Sequence, residues 1–140
     1  MAATDETTGA ATTAVLQAKD EIRELLARYN HCVDSRDADG WIALFTADAT
    51  MDLGGRSLEG PEQLRAFVAA LGPAGSGVLR HYAVNEVIEV DGDRATVRCS
   101  LLAVGRTDDG PRLTTGRYED ELRREAGTWR FSRRRFVPDA

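Results

Sequence analysis

Cysteine, histidine and lysine are all scarce in this chain, and each scarcity excludes something. The two cysteines, Cys32 and Cys99, are far apart and lie in segments of different pattern. They have neither metal-ligand spacing nor the arrangement of a disulfide framework, so both are expected to be free thiols in a reducing cytosol. Lys19 is the sole lysine, so arginine carries nearly all of the positive charge. The net charge of −5 and pI of about 5.0 argue against nucleic acid or an anionic membrane as a partner. No run approaches the roughly 20 apolar residues of a membrane span. Residues 1–13 are small and polar, with Asp5 and Glu6 and neither a basic nor an apolar stretch. A disordered N-terminal tail is expected there, not a signal peptide, and the location is expected to be cytoplasmic. The glycine-rich stretch Gly72 to Gly77 lacks the lysine and spacing of a phosphate loop and reads as a linker.

What is present suits one globular domain, expected over residues 14–140. Hydrophobic residues make up 42% and charged residues 29% of the 140 positions, enough for a single sizeable core. Residues 14–36 read as a long helix, because Val15, Ile22, Leu25, Leu26, Tyr29, Cys32 and Val33 recur at three- and four-residue steps. Asp37 is a good N-cap for a second short helix carrying Trp41, Leu44 and Phe45. A strand over 48–53, a turn at Gly54-Gly55 and a short strand around 56–58 follow. Gly60-Pro61 then opens a third helix with Leu64, Phe67, Val68 and Leu71 as its apolar face. The second half is all strand: 78–90 and 94–106 flank the tight turn Asp91-Gly92-Asp93, and strands at 111–125 and 128–137 follow. Helices followed by a meander predict an α+β fold, with the helices on the concave face of a curved, mainly antiparallel sheet. Such a cone has an open mouth and room for a small ligand.

His81 stands out, because one of only two histidines falls in the strand-like run Leu79 to Val90. Alternation puts His81, Ala83, Asn85 and Val87 on one face, and Ala95, Val97, Cys99, Leu101 and Ala103 on one face of the next strand. Upstream, Tyr29 and Asp34 sit near the end of the first helix. An imidazole, a carboxylate and a phenol that meet in one cavity can move protons without metal or cofactor. Asn85 is a candidate for orienting a ligand, and Trp41, Phe45 and Phe67 are candidates for walling one. Core packing is the plainer role for these aromatics. His31 falls on the polar side of the first helix. Arg117, Arg133, Arg134 and Arg135 form a basic cluster read as a solvated sheet face or a contact between subunits. Asp48 and Asp52 read as loop carboxylates flanking the first strand.

The segments "YNHCVDSRDADGWIALFTADATMDLGG", "EGPEQLRAFV", "RHYAVNEVIEVDGDRATVRC" and "GRYEDELRREAGTWRFSRRRF" together resemble the SnoaL-like branch of the NTF2-like superfamily over residues 15–137. Its relatives include scytalone dehydratase, bile-acid dehydratase, ketosteroid isomerase and polyketide cyclases. The resemblance implies that Tyr29, Asp34 and His81 meet in the cone. The tyrosine that precedes the aspartate in scytalone dehydratase is Val33 here. A second histidine is missing from the strand at 113–122, where Arg117 or Tyr118 stands instead. The implied activity is a cofactor-independent dehydratase or isomerase acting on a small hydrophobic, polycyclic or polyketide-like carbonyl compound. His81 would be the general base and then acid, Asp34 would orient it, and Tyr29 would polarise the carbonyl. Aldol-type ring closure of a polyketide uses the same parts, and a non-catalytic binding protein with the same cone is the remaining alternative. Apolar Leu102 and Val104 on the opposite face of the sheet lead us to expect a homodimer.

Overall fold

The computed structural model describes residues 2–71 and 78–139, so the linker expected at Gly72 to Gly77 lies outside the described residues. The first helix, α1 (Ala2–Ser35), is longer than its apolar stripe. It takes in most of the stretch read as a disordered tail. Its described side chains, from residue 8 to 13, are exposed, so helix-forming capacity and not core contact accounts for the helix there. Alanine has the best helix propensity, and the hydroxyls of Thr12 and Thr13 donate to the carbonyls of Thr8 and Gly9 one turn back, both at 3.0 Å. Residues 8–17 are exposed, and burial begins at Ala18. From there Ile22, Leu25, Leu26, Tyr29 and Val33 pack into the core.

Asp37 caps α2 (Ala38–Ile42) by accepting from the Gly40 backbone N–H at 2.9 Å. This helix is shorter than its apolar residues suggested, and Phe45 opens β1 (Phe45–Leu53) instead. After β2 (Ser57–Glu59), Pro61 sits in the first turn of α3 (Gly60–Ala70), where its missing N–H is no loss. Four long strands complete the chain: β3 (Val78–Asp91), β4 (Arg94–Thr107), β5 (Gly110–Glu125) and β6 (Thr128–Pro138). They form a six-stranded sheet in the order β2-β1-β6-β5-β4-β3. All neighbours are antiparallel except β1 and β6, which are parallel. The helices and one face of the sheet enclose the core. The expected α+β architecture stands.

Two irregularities decide which side chains face that core. In β3 the register slips between Val84 and Val87, so Asn85 and Glu86 together stand opposite one residue of β4. Asn85 adopts φ 58° there, a left-handed conformation that asparagine tolerates better than most residues. Before the bulge the odd positions point inward. After it, Ile88 and Val90 do, and Val87 is 49% exposed. In β6 a slip leaves Ser132 as the extra residue between the pairs Glu121–Arg133 and Leu122–Phe131. Trp129 and Phe131 face inward before it, and Arg134 and Phe136 after it.

Candidate functional site

Asp34 lies one residue from the end of α1, where the negative end of the helix dipole gives a carboxylate no support. Support comes from β3. That strand is the sheet's edge, so some of its backbone N–H groups lack a ladder partner. The His81 N–H donates to Asp34 Oδ2 at 3.2 Å, and the His81 ring meets Asp34 Oδ1 through Nδ1 at 2.6 Å. One carboxylate thus holds both the backbone and the ring of one residue. With Asp34 ionised, Nδ1 is the donor and Nε2 is a lone-pair acceptor with no partner among the described residues. The side chains are 18% and 10% exposed for His81 and Asp34, sheltered but not sealed.

His81 also lines a cavity of about 300 Å³. Tyr29 and Tyr118 form buried parts of its wall, with Met51, Phe67 and Leu101 among the apolar parts. Burial, and secondarily the neighbouring Tyr118, holds the Tyr29 phenol well above its ordinary range, so it remains a proton donor. Its described acceptor is the thioether of Met51 at 3.7 Å, a weak one. The Tyr118 phenol is likewise raised by burial, partly offset by Arg134. Gly116 is required nearby, since a Cβ there would fall 2.6 Å from the Phe136 ring that lines the cavity.

Behind the tyrosines lies a feature that the sequence reading placed elsewhere. Arg134 was expected on a solvated face or at a subunit contact, but it is completely buried. The Ser132 bulge reverses the alternation and turns it inward. Its guanidinium lies 3.4 Å from the Tyr118 ring centre, 4.1 Å from that of Tyr29 and 4.7 Å from that of Phe131. Asp120, its cross-strand partner, is 3.2 Å away but out of line for a regular hydrogen bond. Burial pushes the Asp120 carboxyl up to about 6, with Arg134 pulling the other way.

The structure brings together His81, Asp34, Tyr29, Tyr118 and Phe67 and leaves the other candidates apart. Asn85 is exposed within the β3 bulge, and Arg117 is exposed on the outer face, 3.1 Å from Glu119. Trp41 and Phe45 are core residues packed on Tyr29 and do not line the cavity. Arg133 and Arg135 stay on the outer face, paired with Asp52 at 3.0 Å and Glu119 at 3.4 Å. Asp48 pairs with Arg123, and His31 is exposed as expected. Cys99 is buried and its thiol is pushed up to about 11, mainly by burial. Three polar cavity residues carry no sequence signal used above: Arg36, Arg112 and Thr114. The last two share the inward alternation of β5 with Gly116 and Tyr118, a signal that was there to be used.

The chain as a whole is similar to known proteins. The family described as SnoaL-like domain matches residues 14–135. Among solved structures, Rv3472, a protein of unknown function from Mycobacterium tuberculosis solved as an aspartate-to-asparagine variant, is 30% identical. The match covers 91% of this chain and 75% of that one, with a TM-score of 0.85. An NTF2-like protein with a cystatin-like fold from Novosphingobium aromaticivorans is 27% identical, over 94% and 88% of the two chains, with a TM-score of 0.83. LinA, at 24% identity, 89% and 88% coverage and a TM-score of 0.77, shares the fold. A search of curated proteins found no match. Among the described residues no helix is long and apolar enough to cross a membrane.

Proposed function

Because the chain belongs to the SnoaL-like family, we propose that its cavity is the active site of a cofactor-independent acid–base enzyme. The reaction is dehydration or isomerisation of a small hydrophobic carbonyl compound of polyketide-like or fused-ring type. The observation that carries this reading is the 2.6 Å contact of His81 Nδ1 with Asp34 beside a cavity that Tyr29 also lines. Asp34 fixes the ring so that Nε2 takes a proton from carbon next to the substrate carbonyl. The resulting imidazolium is stabilised by Asp34 and returns the proton, to a departing hydroxyl in a dehydration or to another carbon in an isomerisation. Tyr29 and Tyr118 are protonated donors for the developing enolate oxygen, and the Arg134 charge behind their rings favours negative charge there. The volume of about 300 Å³ lies at the small end for ligand pockets and favours one or two rings over a steroid.

The deciding experiment compares wild type and His81→Ala on a panel of β-hydroxyketones and β,γ-unsaturated ketones. The variant is expected to lose about 10²- to 10⁴-fold in turnover with its melting curve preserved. Full turnover in the variant would sink the assignment. Product analysis separates loss of water, movement of a double bond and ring closure.

A homodimer through the outer face of the sheet belongs to the same reading. Tyr82 and Leu113 are 48% and 69% exposed there, beside a field of both signs formed by Arg98, Arg117, Arg135, Glu89, Glu119 and Glu121. A patch of that kind is self-complementary under a two-fold axis. Sedimentation at micromolar concentration is expected to give twice the chain mass, and a monomer there rejects the dimer.

A further inference from the structure

Resting on the reading of the cavity as a substrate site, we infer that the substrate carries a carboxylate, held by Arg112 and Arg36. The chain is acidic overall, with 23 Asp and Glu against 18 Lys and Arg. Its cavity has the opposite character. Among the described lining residues there are two arginines and no carboxylate. Asp34, which adjoins the cavity through His81, is engaged by that residue. A cleft lined by one sign of charge concentrates ligands of the other sign.

Arg112 stands at the exposed rim of the cavity, and Arg36 stands at a left-handed position where another residue would be the easier choice. Arg112 begins the inward-facing series of β5, which passes through Thr114 and Gly116 to the buried Tyr118. The wall therefore runs from an exposed guanidinium at the solvent end to a phenol at the buried end. Arg112 has no hydrogen-bond or ion-pair partner among the described residues. By contrast, Arg117 and Arg135 on the outer face both pair with Glu119. Arg36 follows the last residue of α1 at φ 61°. Glycine or asparagine fills that left-handed position at lowest cost, and a longer side chain there is strained. Its guanidinium donates to the Val33 carbonyl at 2.5 Å, which ties the strained residue to the helix end beside the cavity. Backbone strain kept at a cavity wall is a mark of a functional side chain. Planar guanidinium forks match carboxylates better than they match neutral oxygens. The ligand so described is apolar and ring-bearing at the tyrosine end and acidic at the solvent end.

The test is a binding titration with 2-naphthoate and its methyl ester, which share the ring system and differ in the charge. Wild type is expected to bind the acid about 10- to 100-fold more tightly than the ester. Arg112→Gln should cut that preference several-fold, and Arg36→Asn combined with it should remove it. The ester affinity should stay unchanged in both proteins. Arg36→Asn relieves the backbone strain, so circular dichroism is expected to show a folded variant. Equal binding of acid and ester to wild type overturns the inference while leaving the ligand cavity in place. So does a preference that survives in the double variant. If neither compound binds, the cavity is not a site for small apolar ligands, and the proposed function falls together with the inference.

Discussion

Two carboxylate pairs stand within this small cone, and they differ in almost every respect. Asp34 and His81 are 47 positions apart and join the end of α1 to the sheet edge. Asp120 and Arg134 are cross-strand neighbours with side chains 0% exposed. The first pair is held by two aligned hydrogen bonds and keeps one ring nitrogen without a described partner. The second has one off-line contact, and three aromatic rings surround its cation. A buried cation enclosed by rings can set a potential but cannot exchange protons with a ligand. A sheltered imidazole with one nitrogen unspent can do so. Burial and chemical availability are thus divided between two pairs, one at the cavity wall and one behind it.

The largest effect should come from breaking the deeper pair. Arg134→Met leaves Asp120 buried without its cation, and about 3–5 kcal/mol of stability should be lost. Chemical denaturation measures this. Adding Asp120→Leu should recover much of the loss, because burying two apolar groups costs less than burying one unpaired charge. No recovery would mean that the pair is not the source of the loss.

The next effect is in the pH dependence of that pair. Asp120 is raised from an ordinary 3.8 to about 6 in the folded chain, so the folded state holds this proton more tightly than the unfolded state. Its contribution to stability is complete below about pH 4 and is lost as pH rises through about 6. About two units correspond to about 3 kcal/mol as an upper bound. Asp120→Asn has no such proton to lose. Melting temperatures measured from pH 4 to 7 should therefore fall in wild type relative to this variant. Parallel curves would reject the raised carboxyl.

The smallest change in stability, and the sharpest in chemistry, is expected at the shallower pair. Asp34→Asn replaces one oxygen with a donor. The His81 backbone N–H cannot change its role, so the amide oxygen should turn toward it and the NH₂ toward Nδ1. Nδ1 must then accept, which moves the ring proton to Nε2 and removes the lone pair proposed as the base. Nitrogen-15 spectra of the neutral ring should show the tautomer reversed, with melting altered by only about 1 kcal/mol. An unchanged tautomer would show that Asp34 does not set the ring.

Much of this arrangement is legible in the sequence wherever periodicity holds without interruption. The α1 stripe from Ile22 to Val33 and the inward face of β4 follow the pattern, and the Asp37 cap and the hairpin at Gly92 announce themselves. Legibility fails where a strand changes phase. Asn85 was placed beside His81 because two steps along a strand keep one face, and the bulge that breaks this rule lies at Asn85 itself. Arg134 was lost among its neighbours Arg133 and Arg135 for the same reason, since Ser132 carries no mark of being an extra residue. The parallel pairing of β1 with β6 was also not foreseen. It joins segments about 85 positions apart, and nothing local selects which sheet edge an early strand joins. Arg36 escaped notice because a left-handed residue after a helix is expected to be glycine.

The bulge in β3 works like a change of reading phase within a single strand. Upstream of it the chain presents one set of residues to the interior, and downstream it presents the other. The two halves are locked to separate neighbours, with His81 held by the end of α1 and Ile88 by the core. Removing one residue at Asn85 would restore a regular ladder and force one half to turn over, putting either His81 or Ile88 on the wrong face. This strand should therefore tolerate many exchanges of side chain and hardly any change of length. Its length across the bulge, as much as any residue within it, is what aims the imidazole.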